Sequence, residues 1–119
     1  MIAEPSWMRL IGVGDVIDEK ASVTEQNVAE LLATFVERPV VAGQWPRDVC
    51  LGWILKLERR ADEVFAFVRW AIEPALVATI QHGLAAVVVT SAPLGWVLTE
   101  AFPRSNPPQI QGELPCKTP

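Results

Sequence analysis

Leu51 to Trp70 reads LGWILKLERRADEVFAFVRW, and its reading decides the fold. Val64, Ala66, Val68 and Trp70 alternate with Phe65, Phe67 and Arg69, a period of two that sends successive side chains to opposite faces of a strand. One face of this run is almost wholly apolar, and the other is aromatic with a charged end. Val49 to Arg59 is a second strand-forming run, and RRADE between the two has the polarity of a tight turn. The spacing predicts a β-hairpin. Asp62 and Glu63 fall at its tip, where solvation is enough to explain them. Arg59 and Arg60 flank that tip and can pair with its carboxylates at little net gain.

Upstream, Trp7 to Val13 reads as a first strand, ended by Gly12 and Gly14, and Asp15 to Lys20 as a charged turn. Asp15, Asp18 and Glu19 lack the spacing of a calcium loop and are expected to be solvated. Ser22-Val23-Thr24-Glu25 has the spacing of a capping box, in which a hydroxyl and a carboxylate satisfy free amide donors at a helix start. Val28, Leu31, Leu32, Phe35 and Val36 then form one apolar helical stripe, and Pro39 ends it. Pro39 to Ala42 is a short strand running into the corner Gly43-Gln44-Trp45-Pro46, where Trp45 either anchors an interface or packs locally.

Downstream, Pro74 suits the first turn of a second helix. Leu76, Val77 and Ile80 are its inner face, His82 lies in its last turn, and Gly83 caps its C-terminus. Ala85 to Thr90 is an apolar strand, SAPLG turns the chain, and Trp96 to Phe102 is the last strand. Strand positions make Trp7, Trp53, Trp70 and Trp96 core or half-core residues. The elements together describe an α+β domain.

A chain of 119 residues is one domain, able to bury about two-thirds of the surface its unfolded form exposes. Half of it is hydrophobic, yet no window reaches the roughly 18 uninterrupted apolar residues of a membrane span. Residues 1–10 lack the apolar centre of a signal peptide, so the expectation is a protein that stays in the cytoplasm where it is made. The surplus apolar character predicts cover by other subunits, as a homo-oligomer such as a dimer or trimer. A net charge of −4 without a basic cluster argues against direct nucleic-acid binding. Cys50, in an apolar strand, is expected to be an inert buried thiol and Cys116 a tail residue; their separation matches no metal motif. Gly12-Val13-Gly14 lacks the third glycine of a phosphate cradle. No metal or cofactor is expected.

Five of the ten prolines fall in residues 103–119, which predicts a domain over 1–102 followed by an extended proline-rich arm. For catalysis, His82 and Ser91 are the histidine and serine that flank the apolar strand, and their separation leaves a pair open. The plainer readings are a surface histidine at a helix end and a serine that starts the turn into Pro93.

The order of segments resembles a known family. RPVVAGQWP, LGWILKLERRADEVFAFVRW, a helix ending TIQHG, and LGWVLTEAFPRSNPPQIQGEL are similar, over roughly residues 7–114, to the capsid-maturation (prohead) proteases of tailed phages, in particular the Mu-type I-protein relatives. That resemblance implies a small antiparallel β-barrel-like domain with two helices. It also implies a catalytic histidine in the corner after the Pro-Val strand and a nucleophilic serine about six residues after the helix-ending glycine. Those positions hold Gln44 and, counted from Gly83, Val89, neither of which supplies a base or a nucleophile at neutral pH. Moving two residues on, from Val89 to Ser91, keeps the same face, taken as the inward one, without restoring the base.

The resemblance therefore implies a barrel retained for binding, not an enzyme. The expectation is a virion structural protein made in the host cytoplasm, a capsid decoration or cement protein on the outer surface of the shell with the major capsid protein as partner. Trp45, Pro103, Asn106, Pro107, Pro108 and Ile110 are its expected contact residues. The alternatives are a prohead protease, or a degenerate protease or scaffold component acting in capsid assembly, and a small interaction domain outside phages.

Overall fold

The computed structural model describes residues 1–18, 21–41, 49–80 and 82–104. Its elements run β1 (Ser6–Gly12), β2 (Val16–Asp18), β3 (Ala21–Ser22), α1 (Glu25–Thr34), β4 (Arg38–Val41), β5 (Cys50–Arg60), β6 (Glu63–Trp70), α2 (Pro74–Val77), β7 (Leu84–Ser91) and β8 (Gly95–Pro103). Six strands form one sheet in the order β1-β6-β5-β4-β8-β7, and β2 pairs with β3 in a separate small hairpin. Every neighbouring pair is antiparallel except β4 with β8, which run parallel through Val40 and Ala101. The chain is mostly β, a curled half-barrel with two short helices.

The curl comes from extra residues. Between the pairs Arg9–Phe65 and Ile11–Val64, β1 holds one residue more than β6. Strand β5 carries an extra residue against β4 near Leu51 and another against β6 at Leu55. Strand β8 carries one against β7 at Thr99, whose hydroxyl donates to the Val87 carbonyl at 3.0 Å. Each bulge bends its strand and increases the local twist, and so curves the sheet around its apolar side. The first bulge also explains why neighbours Leu10 and Ile11 are both buried, which strict alternation forbids.

The hairpin forms as its alternation predicts. Val64, Ala66, Val68 and Trp70 are buried, and the Trp70 indole N–H donates to the Ser6 hydroxyl at 2.8 Å. With Leu10, Val40, Ile54, Leu84, Leu98 and Ala101 they form the core. Helix α1 lies against β8 and contributes Val28 and Leu31. Its docking is polar as well as apolar: the Glu30 carboxylate accepts from the Trp96 N–H at 3.0 Å and occupies the space beside Gly95, where a side chain would stand. The Thr34 hydroxyl lies 2.9 Å from the Trp96 carbonyl oxygen.

Several expectations are corrected. The helix is capped by Thr24, not Ser22: the Thr24 hydroxyl accepts from the Asn27 N–H at 3.1 Å, and the Asn27 side chain accepts from the Thr24 N–H at 3.0 Å. Ser22 instead closes the hairpin with Val16. The helix stops at Thr34, so Val36 leaves the stripe and is exposed, and Pro39 sits inside β4. The second helix has only four residues, and Leu76 is exposed, although Val77 and Ile80 pack on the core. Gly83 is not its cap but precedes β7. The last strand runs through Pro103, which pairs with Leu84, and the Arg104 N–H donates to the Gly83 carbonyl at 2.9 Å.

Gly83 is where the two outermost strands meet. β1 and β7 lie at opposite ends of the strand order yet touch, and a Cβ on Gly83 would lie 2.7 Å from the Arg9 carbonyl oxygen. Its φ of +77° adds the left-handed penalty of any L side chain. Gly14 has φ +95° but open space where its Cβ would be. Gly14→Ala should therefore cost about 1–2 kcal/mol from conformation alone, and Gly83→Ala clearly more. Urea unfolding of the two variants checks this; equal costs would mean that contact between β1 and β7 does not matter.

Candidate functional site

The structure separates His82 from Ser91, the pair the sequence leaves open for catalysis. Strand β7 sends Leu84, Ala86 and Val88 toward the core. Val89 falls on the other side of this alternation and is 48% exposed, so the position matched to the nucleophile faces outward rather than inward. His82 is exposed and lies beyond α2, so the expected placement at a helix end fails. His82 precedes β7 and Ser91 ends it, and the seven steps from Leu84 to Ser91 span about 23 Å of extended chain. No His82–Ser91 pair forms. Gln44, Trp45, Asn106, Pro107, Pro108, Ile110 and Cys116 lie outside the described residues, as does Glu19. Among the described residues no group of three His, Cys, Asp or Glu side chains is placed to hold a metal ion.

Cys50 is exposed rather than buried, because it opens β5 just before the Leu51 bulge instead of lying within the strand's covered part. Trp53 is likewise not a core residue. Gly52 and Ile54 take the inward positions, which leaves Trp53 on the outer face, 39% exposed and opposite Arg69. Trp7 and Trp96 are half-buried and Trp70 is buried, in keeping with their strand positions.

Asp15 is not a solvated turn residue either. It accepts from the Arg9 guanidinium at 2.9 and 3.2 Å and from the Gly12 N–H at 3.0 Å, while Arg9 Nε donates to Glu63 at 2.6 Å. One arginine thereby ties the end of β1 to the start of β6 and to the turn that follows. Partial burial pulls the Asp15 carboxyl upward, but the bonds from Arg9 and Gly12 outweigh it and hold the group below the ordinary aspartate range. Asp15 and, after it, Glu63 in turn raise the Arg9 guanidinium. At the hairpin tip, Arg59 reaches Glu25 of α1 at 2.9 Å and Asp62 at 3.7 Å, and Arg60 meets Glu58 at 3.3 Å. Of the expected pairings with the tip carboxylates, Arg59 meets Asp62, while Glu63 is held by Arg9.

The outer face of β1, β6 and β5 carries an ordered array of rings and charges. Registration sets Lys56, Phe67 and Trp7 side by side on one rung and Glu58, Phe65 and Arg9 on the next. The Trp7 and Phe67 ring centroids are 5.0 Å apart with planes tilted by 51°, a favourable aromatic pairing. Lys56 Nζ sits 5.2 Å from the Phe67 centroid and 5.7 Å from that of Trp7. The Arg60 guanidinium carbon lies 4.6 Å from Phe65 and 4.8 Å from Trp7. Such contacts contribute about 0.5–1 kcal/mol each at exposed sites, and they also orient the cationic heads. The alternation of β6 foreshadows the aromatic half of this face. The cationic half depends on the β5–β6 register, which the Leu55 bulge shifts by one residue.

No known protein family, curated protein or solved structure matches the chain.

Because the folded Asp15 carboxyl titrates below its unfolded value, its contribution is complete above the unfolded aspartate range, about pH 4. It is lost as pH falls from there through the depressed folded value. Asp15→Asn should lower stability at neutral pH and flatten its fall on acidification. Denaturant unfolding between about pH 6 and pH 2.5 measures this; an unchanged acid slope would assign the acid sensitivity to other carboxylates.

Proposed function

We propose that the chain is a non-enzymatic structural protein of a tailed-phage virion, a capsid decoration or cement protein bound to the major capsid protein on the outside of the shell. The resemblance of its sequence segments, in their order, to those of prohead proteases supports this reading, together with a curled half-barrel of mostly antiparallel strands and two short helices. The observation that carries it is the pairing of an outward, exposed Val89 with a His82 and Ser91 set at opposite ends of one strand. On this reading the protein acts through its outer surfaces. Fold likeness alone does not fix function, so the reading rests on these placements.

Purified particles produced by the genome that encodes the chain should contain it in numbers comparable to the major capsid protein. Quantitative mass spectrometry of such particles measures that ratio. Absence from mature particles would overturn the reading, and so would cleavage of the capsid or scaffold protein that Ser91→Ala abolishes.

A further inference from the structure

The outer face of β1, β6 and β5 divides into two halves with different charge balance. Toward the tip of the β5–β6 hairpin, Arg9 is taken up by Asp15 and Glu63, and Arg60 meets Glu58. Toward the other end lie Trp53 opposite Arg69, and Lys56 beside Phe67 and Trp7. No carboxylate among the described residues pairs with Lys56 or Arg69. On a chain of net charge −4, these are two neighbouring cations that no described carboxylate pairs with, one of them set over the Phe67 and Trp7 rings. The rings hold the Lys56 head in place, so less freedom is lost when it meets a counter-charge.

We infer that this half of the face binds an extended acidic segment of the partner protein. Arg69 and Phe67 are two residues apart on β6, so the Trp53–Arg69 and Lys56–Phe67 rungs repeat at about 7 Å. That is also the repeat of same-side residues in an extended peptide. Carboxylates at alternate positions would thus meet Lys56 and Arg69 in turn, with the Lys56 head held over Phe67 and Trp7. Charge complementarity selects the acidic segment over single-stranded nucleic acid, since two uncompensated cations are too few to track a phosphate backbone. This inference rests on the reading of the chain as a binding protein and names its surface and its partner's chemistry.

Fluorescence anisotropy with three labelled probes tests it: a peptide alternating Glu or Asp with Leu, the same peptide with Gln and Asn in place of the acids, and an oligothymidylate. The full chain should bind the acidic peptide saturably, more weakly as salt is raised, and in preference to the other two. Lys56→Gln with Arg69→Gln should weaken it at least about tenfold, the loss expected for removing charged hydrogen bonds. Lys56→Glu with Arg69→Glu should transfer binding to a lysine-substituted peptide, which distinguishes a lost contact from a lost fold. Equal binding of the neutral peptide, indifference to both double substitutions, or preference for the oligothymidylate would overturn the inference. Particles that carry the Lys56→Glu, Arg69→Glu protein at full occupancy would refute this surface while leaving the decoration role standing. Acidic-peptide binding by a chain missing from particles would do the reverse.

Discussion

The constraint on which the rest of the structure depends is the mismatch of residue counts between paired strands. A sheet in which β1, β5 and β8 each hold residues that their neighbours lack cannot lie flat. It curls around Val40, Ile54, Val64, Val68 and Ala101 until its outermost strands, β1 and β7, come into contact at Arg9 and Gly83. Closure there is by close approach of backbone to backbone, and so the absence of a side chain at Gly83 matters. Helix α1 then covers β8, fixed by Val28 and Leu31 and by the Glu30 carboxylate at the start of β8.

The same curvature decides what the two faces present. Side chains inside the curl are mostly aliphatic and buried. Those outside β1, β6 and β5 are spread on the convex surface, where rings and cations lie side by side instead of burying one another. A convex, ordered, aromatic surface can dock on a neighbour but cannot by itself exclude water from a reacting bond. The residues nearest to a catalytic vocabulary, His82 and Ser91, are kept apart by the length of β7. This physical division underlies the proposal of a protein that acts by adhesion.

Local signals made much of this legible. The alternation from Val64 to Trp70 placed β6, its buried row and its aromatic row. The apolar spacing of Val28 and Leu31 placed α1, and the Pro74 signal placed the start of α2. What the sequence left hidden depends on register and on contacts between distant residues. The capping box moved to Thr24 because an amide at Asn27 serves as well as a carboxylate, a substitution the acidic pattern misses. Trp53 emerged outward because its neighbours took the inner positions, and Asp15 gained Arg9 through a turn whose geometry no local pattern encodes. Gly83 looked like a helix cap because its role is set by Arg9, which is distant in the sequence.

The most direct measurement of the central claim is an electron cryo-microscopy map of the intact particle at side-chain detail. The account predicts the half-barrel on the outside of the shell, with the convex face of Trp7, Trp53, Lys56, Phe67 and Arg69 turned toward an acidic strand of the capsid subunit. A map in which that face looks into solvent while another surface makes the contact would contradict it.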